Sequence, residues 1–241
     1  MSYLDEILGG EERQRVVDRE RQVAAAIAGL LDVKEIDGAA NPYLERFLEI
    51  SGGRGWGYHR FAEFEANSAE WVNAFEQEMV AARARASFVR WFAWAIPTEE
   101  ALALVHAGGE VVEVGAGGGY WAGLLRARGV TVHAYDRAPH ENYQVAHGWS
   151  PVQRAGVRAA GWHPEATLLL CWPPYDHRMA EVAVERYWRA GGRRVAYVGE
   201  IGGGCTGESS RLEALDPVAE AAIPQWPGIH DYLAIYELPP C

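Results

Sequence analysis

The sequence predicts an α/β fold: a seven-stranded, mostly parallel sheet with helices on both faces, preceded by an N-terminal helical segment. Three observations predict it. From about residue 108 onward, short apolar runs alternate with stretches of helical spacing, the pattern of a parallel sheet built with crossover helices. The first run, Val111, Val112 and Val114, ends in Gly115, Gly117, Gly118 and Gly119, and Trp121, Leu124 and Leu125 then recur at helical spacing. The residues before it carry helical periodicity and no strand signal.

Residues 4 to 32 read as a helix with an apolar stripe of Val16, Val17, Val23, Ala24, Ile27, Leu30 and Leu31. Asn41 and Pro42 open a second, short helix, Asn as cap and Pro in the first turn, followed by Tyr43, Leu44, Phe47, Leu48 and Ile50. Ser51 to Gly57 is a glycine-rich loop carrying Trp56. A long helix is expected from Asn67 to Ala95, with Glu70 completing a capping box. Its apolar face would be Trp71, Phe75, Met79, Ala82, Ala86, Val89 and Ala93. Ile96-Pro97 ends it, and Thr98 caps a helix from Glu99 to His106.

The sheet follows. Strand two is expected over Val130 to Tyr135 and ends at Asp136. After an irregular stretch holding His140, Tyr143, His147 and Trp149, a weak third strand is expected near Ser150 to Gln153. Thr167 to Cys171 is strand four, and a helix runs from His177 to Trp188 until Gly191-Gly192 stops it. Arg194 to Gly199 is strand five. A second glycine-rich loop, Glu200 to Gly207, and a short helix, Glu208 to Leu215, precede two tail strands near Val218 to Ile223 and Tyr232 to Leu238. The chain divides on this reading into residues 1–105, helical, and 106–241, the sheet.

The composition narrows the function classes. The 241 residues suffice for one large domain or a core with a smaller piece, and about half are hydrophobic. A formal net charge of −11 argues against general nucleic-acid binding, which needs several Lys or Arg against phosphates. Arg83, Arg85 and Arg90 read as one solvated helix face. Three cysteines without paired spacing argue for a reducing compartment, hence the cytoplasm, and against a disulfide scaffold or a zinc cluster. The start lacks a basic stretch followed by an apolar core, and the most apolar window, Phe88 to Val105, holds Arg90, Pro97, Glu99 and Glu100, so neither a signal peptide nor a membrane span is expected. No metal site is expected, and homodimerisation is left open.

The strand, glycine turn and helix form a place for a nucleotide-like ligand. Glycines let the backbone take positive φ and approach a ligand closely, and the helix aims free N–H groups over the turn. An acid at the tip of the second strand, here Asp136, is where a ribose diol is gripped in dinucleotide-type folds. Two cofactors fit. Gly117, Gly119 and Ala122 satisfy the nicotinamide-dinucleotide spacing. Glu113, Gly115, Gly117 and Gly119 give E-x-G-x-G-x-G, which resembles motif I of class I S-adenosylmethionine (SAM)-dependent methyltransferases, a Rossmann-like family. That resemblance covers about residues 108 to 241. It implies that Glu113 supports the loop and the SAM amino group, that Asp136 holds the ribose hydroxyls, and that the last two strands pair with the final one inserted antiparallel. SAM lacks a pyrophosphate, so an acid beside the loop is tolerated, whereas it would repel a pyrophosphate.

Ligands of open α/β sheets bind beyond the carboxyl ends of the strands, where Trp172, Pro173, Pro174 and Tyr175 follow strand four. Pro-Pro-Tyr is similar to the element of amino-methyltransferases in which Asp, Asn or Ser precedes Pro-Pro and an aromatic. Here Trp172 takes the acceptor position, and indole cannot accept a hydrogen bond there. Trp172 is therefore expected to stack on the cofactor adenine, and Tyr175, with Trp94 from the segment Trp91 to Pro97, on a flat substrate. A hydroxyl acceptor would need a base; His177 and Glu200 are the candidates, and His230-Asp231 is a base-and-orienter pair. The expectation is methyl transfer from SAM to a small aromatic or apolar metabolite, with the helical segment closing over the site. The alternatives are an amino-methyltransferase acting on a nucleic-acid base or protein side chain, and an NAD-dependent oxidoreductase.

Overall fold

The computed structural model describes residues 10–30, 32–51, 81–139, 145–202 and 204–241. The loop at 52–57, the capping pair Asn67 and Glu70, the positions Trp71, Phe75 and Met79, and His140 and Tyr143 lie outside the described residues, as do residues 4–9 and Leu31 of the first expected helix.

Seven strands form one sheet in the order β3-β2-β1-β4-β5-β7-β6. They are β1 (Val111–Val114), β2 (Val132–Asp136), β3 (Gln153–Arg154), β4 (Thr167–Cys171), β5 (Arg194–Gly199), β6 (Ala219–Ala222) and β7 (Tyr232–Glu237). β1 pairs parallel with β2 and β4, β2 with β3, and β4 with β5. β7 runs antiparallel between β5 and β6. The fold is thus the expected α/β, Rossmann-like sheet. The third strand is only two residues and lies further along than Ser150, because Pro151 supplies no N–H for a ladder.

Alternation along the strands divides the core in two. Val111, Val132, Ala134, Leu169, Ala196, Val198, Leu233 and Ile235 face one side, and Val112, Val114, Leu168, Leu170, Val195, Tyr197 and Tyr236 the other. Helices cover both faces. On the second lie α6 (Met179–Arg189), the 3₁₀ turn Val157–Gly161 and Leu212 of the short helix α7 (Ser210–Glu213). On the first lie α5 (Tyr120–Ala127), α4 (Glu99–His106), α2 (Pro42–Ile50) and helical residues 81–91, here α3. Helix α1 (Gly10–Leu30) adds Val23 and Ile27 at the margin.

The caps act as their chemistry requires. The Asn41 side chain accepts from Leu44 N, and Thr98 from Ala101 N. Gly191 takes φ +98 and lets Gly192 N reach Tyr187 O, ending α6. Helix α3 departs from expectation twice. It ends at residue 91, before Ile96-Pro97, and it buries Ala81, Ala84, Phe88 and, as expected, Val89, with Phe92 buried just past its end, whereas Ala82 and Ala86 are exposed. The two phenylalanines carry far more apolar area than alanines, so they set the rotation. They join Tyr43, Tyr120 and Trp226 in an aromatic cluster: Phe92 stacks on Tyr43 at 4.9 Å, and Phe88 meets Trp226 edge-on at 5.3 Å. Among the described residues no helix is long and apolar enough to cross a membrane.

Candidate functional site

The carboxyl ends of β1, β2, β4 and β5 converge on one edge of the sheet. At the end of β1 the chain turns through Gly115 (φ +84), Gly117 (φ +53) and Gly119 (φ +75), left-handed values that suit glycine. Gly115 N and Ala116 N donate to Tyr135 O, and Gly119 N to Ala116 O. Asp136 is the clasp of this turn. Its Oδ2 accepts from Gly117 N at 2.9 Å and its Oδ1 from Ala138 N at 2.8 Å. Each oxygen keeps a second lone pair for a ligand hydroxyl.

Glu113 lies beneath the turn, 2% exposed, with Oε2 lacking any partner. Burial pushes its carboxyl up to about 8, against the pull of Arg126 and a hydrogen bond from Ala122 N, so it is mostly neutral at pH 7. The electrostatic case for preferring SAM to a pyrophosphate therefore cannot rest on Glu113.

The second half of the turn is packed against the chain itself. A Cβ on Gly118 would stand 2.5 Å from His147 O, and one on Gly119 2.8 Å from Ser150 O. Trp149 N donates to Gly118 O, His147 stacks on Trp91 at 4.8 Å, and Ala146 N donates to Arg90 O. Residues Val145 to Pro151 line a groove of about 450 Å³. Gly118 and Gly119 thus have a packing reason to be glycine. Over Gly117 the nearest side chain would be 3.5 Å away, ordinary contact, so Gly117 is the part of the turn open to a ligand, whereas a Cβ on Gly115 would stand 2.5 Å from Met179 Cε.

The end of β4 holds the most strained backbone of the edge. Trp172 has φ +51 and Asp176 φ +56, conformations L-residues rarely take. Trp172 is held there from three sides. Its N donates to Val198 O, its ring stacks on Trp94 at 5.2 Å and 18°, and its Nε1 donates to Asp231 Oδ2 at 2.9 Å. The loops after β4 and β5 are laced together: Pro174 bridges Thr206, and Gly207 N donates to Pro173 O. Buried Thr206 Oγ1 lies between Tyr197 OH, Glu200 N and Glu200 O.

The structure brings Trp94, Trp172 and Glu200 into one neighbourhood beyond β4 and β5; Glu113, Gly115, Gly117 and Gly119 lie on or after β1, next to β4, and Asp136 ends β2, one strand further. Trp172 stacks on Trp94, so the two rings form one aromatic surface. Tyr175 is 60% exposed and His177 is exposed, both on the rim. Glu200 is a clamp: Oε2 accepts from Cys205 N and Oε1 from His230 N at 2.5 Å. Burial opposes its charge, yet hydrogen bonds from Cys205 and His230 prevail and hold the carboxyl below its usual range, a poor setting for a base. The expected His230-Asp231 pairing is not formed. Asp231 turns to Trp172, while His230 Nδ1 lies 3.7 Å from Glu200 Oε1.

Two residues take places other than those expected: Asp231, expected to orient His230, and Arg85, expected on a solvated helix face. Asp231 is 2% exposed, and burial pushes its carboxyl up to about 6 although the Trp172 N–H pulls the other way. Its Oδ1 has no partner. The Arg85 guanidinium carbon lies 5.2 Å from the Trp94 ring centre and 5.3 Å from that of Trp172. Its Nε is buried without a partner. Arg85 adjoins the buried positions Ala84 and Phe88; the true rotation of α3, had Phe88 and Phe92 been weighted over the alanines, would have turned it inward.

No family model matches the chain, and no curated protein matches it. Among solved structures it resembles an O-methyltransferase family protein from Burkholderia thailandensis, at 12% identity and a TM-score of 0.38, over 93% of this chain and 71% of that one. It also resembles a mutant of MtNAS, at 15% identity and a TM-score of 0.32, over 92% of this chain and 98% of the other. Scores this low leave the reading of the site to its own residues.

Proposed function

We propose that this protein transfers a methyl group from SAM to a small, flat, aromatic or apolar molecule in the cytoplasm, and that residues 1–105 serve as the cover of the substrate site. The observation that carries the reading is the antiparallel β7 between β5 and β6. Dinucleotide-binding sheets run 3-2-1-4-5-6; the inserted strand is what the resemblance to SAM-dependent methyltransferases requires. Fold alone does not fix a reaction, so the site must also suit the cofactor. It does so at three points: the left-handed glycines at 115 and 117, the lone pairs left on Asp136, and the orphaned Glu113 Oε2.

SAM would supply an activated methyl on a sulfonium. Gly117 and Asp136 would hold it, with Glu113 bracing the turn from below. Trp94 and Trp172 would present the flat face on which an acceptor ring lies, and Tyr175 would border the entrance. The chain's main contribution would be alignment of acceptor and methyl, worth about 7–11 kcal/mol in well-oriented systems. Burying the site beneath the helical segment would keep water from competing.

Titration calorimetry with SAM, its demethylated product S-adenosylhomocysteine and NAD tests this reading. The first two should bind and NAD should not. Asp136→Ala should weaken SAM by about 1.5–3 kcal/mol, since it removes both the ribose acceptor and the clasp of the turn. Binding of NAD with no heat from SAM would reverse the assignment.

A further inference from the structure

We infer that the acceptor is a hydroxyl group, held between the guanidinium of Arg85 and Oδ1 of Asp231 against the Trp94–Trp172 surface, with Asp231 as the base that takes its proton. The inference rests on the methyl-transfer reading for the fate of the hydroxyl, but the site itself stands on separate observations.

Both residues are anchored on the same indole. Arg85 lies over the ring of Trp172, and Asp231 Oδ2 holds its Nε1. The Arg85 charge acts on the Asp231 carboxyl, yet the two form no ion pair. Arg85 makes no hydrogen bond to a described residue, and its Nε is buried. Asp231 has one oxygen committed and the other buried and unmatched. An unpaired donor and an unpaired acceptor therefore flank one aromatic surface. Buried polar groups are rarely left so, and one ligand group satisfying both must accept from a guanidinium and donate to a carboxylate. A hydroxyl does both. A carboxylate ligand would satisfy Arg85 but face Asp231 and Glu200 with like charge. An ammonium would satisfy Asp231 but face Arg85.

The chemistry follows from the placement. A lone pair of the hydroxyl oxygen forms the new C–O bond to the methyl, and the C–S bond breaks with its electrons going to sulfur. The hydroxyl proton passes to Asp231 Oδ1. Arg85 stabilises the negative charge that grows on oxygen as the proton leaves. The Trp172 N–H fixes the carboxyl so that Oδ1, not Oδ2, meets the substrate. The rings suit a phenol better than an alkyl alcohol. Burial holds the Asp231 carboxyl high enough to accept a proton near neutrality.

The probes are para-cresol and para-methylanisole, which differ only in the hydroxyl proton being replaced by methyl. Binding to the full chain is followed by tryptophan fluorescence. The wild type should prefer the cresol by about tenfold or more, the range of a lost hydrogen bond to a charged group. Asp231→Asn keeps an acceptor for Trp172 but faces the hydroxyl with a second donor, and Arg85→Met keeps the stem over the rings but loses the donors; each should reduce the preference to about threefold or less. With SAM present, Asp231→Asn should slow turnover of para-cresol by about a hundredfold. It should slow para-nitrophenol far less, because that phenol ionises near neutrality without a base. Equal wild-type affinity for cresol and anisole, or equal slowing of the two phenols, overturns the inference. A cresol preference without SAM binding would keep the hydroxyl site and sink the methyl-transfer reading; SAM binding without the preference would do the reverse.

Discussion

The indole N–H of Trp172 donates to Asp231 Oδ2 at 2.9 Å, fastening the residue after β4 to the residue just before β7. The bond spans two loops and stabilises a tryptophan whose φ of +51 costs about 1–2 kcal/mol by itself. Trp172→Phe should keep the stacking on Trp94 and leave Asp231 with no partner on either oxygen. The expected loss is about 1–3 kcal/mol of unfolding free energy. Its pH dependence has a definite sign. Without the N–H, the folded carboxyl is pushed further above its unfolded value, so its charged form is disfavoured more. The deficit should be small near pH 4, where the folded carboxyl is neutral with or without the N–H and the unfolded state is the same in both proteins, and full above about pH 8. Urea titrations at both pH values check this; a deficit independent of pH would mean the bond does not act on the carboxylate.

Glu113 gives the sheet itself a pH dependence. Burial raises its carboxyl from 4.5 to about 8. Between those values the folded state holds a proton that the unfolded state has released. Stability therefore falls as pH rises through this window, by up to about 1.4 kcal/mol per pH unit for one group. It is fully present below the unfolded value and lost above the folded one. Glu113→Gln keeps the shape and an acceptor for Ala122 N without the titration. Its stability should vary less between about pH 5 and 8 than that of the wild type, and exceed it at pH 9. Parallel curves for the two proteins would show that Glu113 titrates normally.

The glycine turn separates packing from ligand binding. Gly118→Ala would press a Cβ into His147 O, which is backbone and yields little. It should cost about 1–3 kcal/mol in stability, as overpacking does. Gly117→Ala meets only Val145 at 3.5 Å, so its cost is the left-handed φ, about 1–2 kcal/mol. If the open half of the cradle holds the cofactor, Gly117→Ala should weaken SAM at least tenfold in calorimetry. Gly118→Ala should leave the affinity of its folded fraction within about threefold. The opposite ranking would place the ligand on the side of the turn facing residues 145–151.

Much of the sheet was legible because its signals are local. Thr167–Cys171 and Arg194–Gly199 are bounded as the apolar runs suggest, and the caps Asn41 and Thr98 act where their side chains predict. The glycine turn and Asp136 lie where strand ends place them. What was hidden depends on pairs distant in sequence. Trp172 and Asp231 are 59 residues apart, and their bond leaves no periodic trace. The burial of Arg85 depends on the rotation of α3, which two phenylalanines decide against a stripe of alanines. The density of glycines at 118 and 119 looked like ligand chemistry, but the approach of residues 145–150 accounts for those two.

Asn41 is the joint between the helical segment and the sheet. Its Oδ1 accepts from Leu44 N at 3.3 Å and from Tyr120 OH at 2.8 Å, and its Nδ2 donates to Pro97 O at 2.8 Å. Tyr120 OH in turn accepts from Tyr43 N. One amide thus caps α2, holds the first residue of α5 and anchors the chain ahead of α4, the last two through buried bonds. Asn41→Ala removes the cap, worth about 1 kcal/mol, and orphans Pro97 O and one bond of Tyr120, each about 1–3 kcal/mol. The total should be about 2–4 kcal/mol after partial relaxation. Thr98→Ala removes a cap of the same type with no tertiary bonds and should cost about 1 kcal/mol. Urea unfolding of both variants gives the comparison. If Asn41→Ala costs no more than Thr98→Ala, the bonds to Tyr120 and Pro97 contribute nothing and the helical segment is held by its aromatic packing alone.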